Sequence, residues 1–124
     1  MSDELRLYAI INKEALAASK GNRGKMHAQA GHAFLHAWWD AEKRFPETAH
    51  RYRDGQAAVK IVLAGESEAE LRAMYDKIKP ICGCTLVTDA ARTVFPEPTV
   101  TFLGVGPIAP AEAPDWLKAL KPLI

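Results

Sequence analysis

Apolar residues along this chain change their period several times, and each change marks the edge of an expected element. Leu5–Ile11 (LRLYAII) is an apolar, β-prone run closed by Asn12 and Lys13, and it predicts a first strand. The stretch Lys13–Lys20 is read as part of a lengthened loop that continues through Ser19–Gly24 (SKGNRG), whose glycines and asparagine permit positive φ and close backbone approach. From Lys25 onward, Met26, Ala30, Ala33, Phe34, Ala37, Trp38 and Ala41 recur at spacings of three and four, one buried stripe of a long helix that should stop near Pro46. A short helix around Glu47–Arg53, closing at Gly55, and a second strand at Ala57–Leu63 (AAVKIVL) follow.

Ser67 with Glu70 forms a capping box that opens another helix, with Leu71, Met74, Tyr75 and Ile78 as its buried face up to Pro80. Cys82–Thr88 and Thr99–Val105 read as third and fourth strands. No helix lies between them, so antiparallel pairing is easier than a parallel crossover, and the sheet is expected to be mixed. Asp115–Leu120, after Pro114, predicts a final helical turn or two with Trp116 and Leu120 facing inward. The expected fold class is α/β: a single domain over residues 1–124, with a mixed four-stranded β-sheet flanked by helices on both faces.

Composition sets bounds on this picture. A chain of 124 residues, 48% apolar and 25% charged, suits one ordinary hydrophobic core. No apolar run approaches the roughly 18 residues of a membrane span. The charged start Met1–Arg6 is not followed by a signal-type apolar block, so a cytoplasmic location without membrane contact is expected. Cys82 and Cys84, placed on opposite faces of an extended segment, are not expected to form a disulfide, and no second cysteine pair exists to complete a zinc site. The net charge of +1 argues against gripping nucleic acid by bulk charge, but Lys20–Lys60 holds eight basic residues against four acidic, a local surplus of four.

Candidate chemistry gathers on the long helix and after the third strand. At about 100° per residue, Lys25, Gln29, His32 and His36 share one face, either a solvated face or a polar row beside a glycine-rich loop and a helix N-terminus that favours anions. His32 and His36 have the spacing of a metal pair, but Ala33 stands where the HExxH glutamate would be, so no metal site is expected. Ser2, Ser19 and Ser67 lie in no nucleophile elbow, which disfavours an acyl-enzyme and leaves water activated by a histidine or carboxylate. Asp89 opens the loop after the third strand, a common place for a reactive carboxylate in α/β folds and equally a good turn residue.

Two blocks connect these residues. Gly21–Ala33 (GNRGKMHAQAGHA) resembles the GKGKxAAQxxHA pattern of the type 2 peptidyl-tRNA hydrolases, and the stretch from Asp89 (DAARTVFPEPTVTFLGVGP) resembles their DAGxTxxxxGTxTxxxxGP, with Gly55-Gln56 before a VKIVL strand between them. The resemblance runs from about Leu5 to the C-terminus. It implies a mixed four-stranded α/β fold, a homodimer, no cofactor, and hydrolysis of the ester joining a peptide to tRNA. By motif position it implies catalytic roles for Lys25, His32, Asp89 and Thr93, with Gln29 and Thr101 contacting substrate. Arg23 stands where the family has lysine, and Ala91 and Pro98 stand where it has glycines.

Lys20, Arg23, Arg51 and Arg53 are candidate contacts to tRNA phosphates, which would give salt-sensitive binding. Either His32 or Asp89 is a candidate base, Lys25 a candidate for the oxyanion, and Thr93 for orienting the water. Convergence of Lys25 with Asp89 follows if the first and third strands are neighbours. Two rival readings are a non-catalytic RNA-binding module and a dimeric interaction scaffold on the same fold.

Overall fold

Burial alternates between two layers along each strand of a four-stranded sheet. The computed structural model describes residues 4–90, 95 and 97–123. Strands β1 (Arg6–Asn12), β2 (Val59–Gly65), β3 (Cys84–Asp89) and β4 (Thr99–Ile108) lie in the order β2-β1-β4-β3. β1 pairs parallel with β2 and antiparallel with β4, and β3 pairs antiparallel with β4, so the sheet is mixed and the last two strands pair as their short connection requires.

Helices α1 (Lys13–Ala18), α2 (Arg23–Arg44) and α3 (Pro46–Gly55) connect β1 to β2, α4 (Glu68–Ile78) precedes β3, and α5 (Asp115–Ala119) follows β4. Ala9, Ile11, Val87 and Phe102 pack with Met26 and Ala33 of α2, whereas Tyr8, Ile10, Leu103 and Val105 pack with Leu71, Met74 and Ile78 of α4 and Leu117 of α5. The sheet is therefore covered on both faces. Among the described residues, no helix is long and apolar enough to cross a membrane.

Several elements differ from the sequence expectation. Lys13–Ala18 is a helix, not a loop: Asn12 caps it by accepting from the Glu14 N–H at 3.0 Å, and Ala15 is its buried contact. Six residues are too few to show a helical period in the sequence. Helix α3 closes through Gln56, at φ +66°, in place of Gly55. Leu117, 2% exposed, carries the burial of α5, with Trp116 and Leu120 half-buried at its edge. Cys82 and Cys84 line the same core layer, not opposite faces, because alternate positions of extended chain share a side. Both are free, and burial pushes their thiols up to about 12 and about 11.

The largest revision concerns strand order. β4 lies between β1 and β3, so the first and third strands are not neighbours. Helix α2 instead packs across β4 and onto β3. The small residues Ala33, Ala37 and Ala41 on its inner face let it sit close to the sheet. At Gly104 of β4 a methyl group would overlap the Ala33 carbonyl, and at Gly83 it would come within 2.6 Å of the Ala37 carbonyl. These two glycines set the depth of α2, and that depth brings its first turns within reach of the end of β3.

Candidate active site

Asp89 is the last residue of β3, on the same side as Val87, and is 4% exposed. Burying a carboxylate without partners is costly, and α2 supplies them. Lys25 Nζ lies 2.8 Å from Asp89 Oδ2, and Gln29 Nε2 donates to the same oxygen at 3.1 Å. Gln29 Oε1 in turn accepts from Thr101 Oγ1 at 3.1 Å, and that hydroxyl also lies 3.4 Å from the Val87 carbonyl. Lysine, carboxylate, amide and hydroxyl thus form one chain of contacts from three elements.

Local structure explains why each member is there. The side chain of Asn22 caps α2 by accepting from the Lys25 N–H at 2.9 Å, after a turn in which Lys20 and Gly21 both take positive φ. Lys25 and Gln29 are one helical turn apart and so face the same way. A cation in a first turn opposes the helix dipole, and the Asp89 carboxylate offsets that cost. Thr101 is the extra residue of a β-bulge, since Val87 pairs with Phe102 and Thr88 with Val100. That places its side chain, fully buried, on the α2 side.

The four-residue polar row read from the helical wheel is divided by burial. Lys25 is half-buried and Gln29 only 7% exposed, while His32 lies at the exposed rim. Gln29, His32 and His36 line a cleft of about 320 Å³ together with Leu86, Val87, Thr88, Asp89 and Ala90. Thr93 and Ala91 lie outside the described residues. Among the described residues no group of three or more His, Cys, Asp and Glu side chains gathers as metal ligands.

The basic candidates come from two segments of the chain. Lys20 and Arg23 are exposed at the start of α2, and Arg51 and Arg53 are exposed on α3. Arg53 Nε donates to Asp54 at 2.9 Å and lines a separate groove with Leu7, Phe34, Trp38, Tyr52 and Lys60. Arg44, counted in the basic surplus, is committed to Asp40 and to the Lys79 and Cys82 carbonyls.

Sequence reasoning missed Asn12, which is 3% exposed and donates from Nδ2 to the Val100 carbonyl at 2.9 Å, beside the Thr101 bulge. Its signal was present, since an asparagine directly before KEALAA is a helix N-cap.

A lysine–carboxylate pair at the carboxyl end of a strand, its carboxylate buried at the wall of a cleft, marks the candidate site of an α/β protein. Comparison with known proteins narrows this further. The family model described as peptidyl-tRNA hydrolase PTH2 matches residues 5–123. Named peptidyl-tRNA hydrolases from Methanocaldococcus jannaschii and Methanococcus vannielii are similar to the chain. The first is 36% identical over 68% of this chain and 74% of its own. The second is 37% identical over 82% and 88%. A probable peptidyl-tRNA hydrolase 2 of Drosophila melanogaster is 30% identical over 90% of this chain and 58% of its own. The chain belongs to the peptidyl-tRNA hydrolase PTH2 family.

Proposed function

We propose that this protein hydrolyses the ester between a peptide and the ribose of tRNA, releasing free tRNA and peptide by attack of an activated water, and so returns tRNA from stalled translation. The observation that carries the reading is the Asp89 carboxylate, buried yet opening on a cleft and held by Lys25 at 2.8 Å, in a member of a family whose relatives bear that activity in their names.

The chemistry assigns roles as follows. Ester hydrolysis needs a base for the water's proton and positive charge where the carbonyl oxygen turns negative. Asp89 and His32 both line the cleft, and the proton passes to one of them. Lys25 brings an ammonium to the edge of the cleft, where it stabilises the oxyanion. Gln29 and Thr101 hold Asp89 and Lys25 in register through the amide, and Thr93 orients the water. Lys20, Arg23, Arg51 and Arg53 meet phosphates of the tRNA, with Arg53 first leaving Asp54. The active form is a homodimer in the cytoplasm, and its subunit count is read by sedimentation at assay concentration.

The deciding experiment follows release of free tRNA from an N-blocked aminoacyl-tRNA, with and without exhaustive chelation. Turnover that persists under chelation is the expected result. Binding without turnover would favour the non-catalytic RNA-binding module, and neither would favour the scaffold. A loss restored only by a divalent ion would overturn the metal-free mechanism.

A further inference from the structure

Beyond the Lys25–Asp89 contacts, α2 carries a row of ring side chains of which the ester chemistry calls on His32 alone. His32, His36 and Trp39 follow one another at spacings of four and three, so they lie along one line of the helix. The His32 and His36 ring centroids are 5.4 Å apart, and those of His36 and Trp39 are 5.0 Å apart with 17° between planes, a stacked pair. Trp39 is 48% exposed, which leaves much of a large ring in water.

This row is continuous with the cleft, because His32 and His36 line it beside Gln29 and Asp89. Beyond Trp39, the exposed Lys43 falls on the same line, so lysines stand past both ends of the row. The acid nearest in sequence, Asp40, is engaged by Arg44 at 3.0 Å and by the Cys84 N–H at 3.0 Å, so its charge is largely answered within the protein.

We propose that this edge of α2 is a stacking track for the unpaired 3′-terminal nucleotides of the RNA substrate, with bases against His36 and Trp39, a phosphate at Lys43 and the ester-bearing ribose at the Asp89 end. The proposal rests on the reading of the chain as acting on a tRNA ester. Rings beside cations are the combination that binds single-stranded nucleic acid without reading its sequence, since every base has a face to stack. From His32 to Trp39 the helix rises about 10 Å, which is close to three stacked nucleotides at ~3.4 Å each. The unpaired 3′ end of a tRNA, a few nucleotides ending in CCA, lies between the duplex stem and the ester and is long enough to cover that span. Rings beside the exposed Lys43 favour a nucleic acid, which offers base faces and phosphates together, over an apolar protein segment as the occupant.

The test uses the full chain and two uncharged RNA hairpins with the same stem, one ending in a single-stranded 3′ CCA and one blunt. The overhang hairpin is expected to bind the wild type about tenfold more tightly than the blunt one. Trp39→Ala should remove that preference, His36→Ala should weaken it, and Trp39→Phe should restore most of it. With blocked aminoacyl-tRNA, Trp39→Ala should act mainly on KM. Equal affinity of the wild type for both hairpins, or an overhang preference that survives both alanine variants, would overturn the track. The hairpins carry no ester, so this result stands apart from hydrolysis: a wild type without turnover defeats the enzymatic reading, while the hairpins still decide the track.

Discussion

Helix α2 lies along β3 with an acid–base pair at each end, and the two pairs differ in what surrounds them. At the C-terminal end, Asp40 and Arg44 sit one turn apart on the same helix. Arg44 donates to the carbonyls of Lys79 and Cys82 at 2.7 and 3.0 Å, and Asp40 accepts from the Cys84 N–H at 3.0 Å. Apart from a 3.7 Å contact of Arg44 with the Cys84 Sγ, the bonds this pair makes beyond itself go to backbone, and they tie α2 to the end of α4 and the start of β3. At the N-terminal end, Lys25 and Asp89 come from distant parts of the chain, and Asp89 is held through the side chains of Gln29 and Thr101 at the wall of a cleft. Side-chain partners can be exchanged for substrate atoms in a way that backbone partners inside a fold cannot. Equal charge in the sequence therefore hides a structural clamp and the pair proposed to be reactive.

The comparison is broken most sharply by turnover. Asp89→Asn and Lys25→Ala should each cut hydrolysis of blocked aminoacyl-tRNA by roughly a hundredfold or more, with little change in thermal midpoint by comparison. Near wild-type rates in both variants would show that this pair is another clamp. The reverse pattern is expected at the other end. Arg44→Ala leaves two backbone carbonyls without their donor and should lower folding stability by about 1–2 kcal/mol, discounted for partial exposure, while the folded fraction keeps its turnover. Denaturant unfolding at neutral pH measures this, and an unchanged midpoint would remove the clamp.

A smaller effect separates the exposed cations from both pairs. If Arg23 and Arg51 meet phosphates, alanine at either should reduce the slope of log affinity for tRNA against log salt by about one unit. A slope identical to wild type in both variants would count against phosphate contact.

The smallest expected effect is in acid. Burial pushes the Asp40 carboxyl up, but the hydrogen bonds from Arg44 and the Cys84 N–H outweigh it and hold it below its ordinary value of 3.8. A carboxyl depressed in the folded state stabilises it above the unfolded value, and that contribution is lost as pH falls through the folded one. Asp40→Asn should therefore lower stability at neutral pH and show a shallower loss below about pH 4. An acid-unfolding curve that overlays wild type would contradict this.

Much of the architecture was legible in the chain. The cap at Ser67, whose hydroxyl accepts from the Glu70 N–H at 3.2 Å, and the apolar positions of α4 are local signals, and so is the small-residue stripe of α2. Local spacing also put Lys25, Gln29 and His32 on one side of a helix. It could not tell that Gln29 would be buried and His32 left at the rim, because a helical wheel has no knowledge of where the neighbouring strand passes. Helix α1 escaped notice because its evidence was a single cap residue and one buried alanine.

The sequence by itself determined most of the elements, the family blocks and the residue types at the Asp89 end, since periodicity, capping and motif order are properties of neighbouring residues. Tertiary structure decided the strand order, with β4 between β1 and β3, and hence that Asp89 meets α2 by way of a helix crossing β4 and not through adjacent strands. It also decided which cations are committed to the fold. The physical reason is that a pairing between strands, a bulge at Thr101 or a helix lowered onto Gly104 is fixed by contacts between residues far apart in the chain, and no local pattern of charge or hydrophobicity encodes the distance between them.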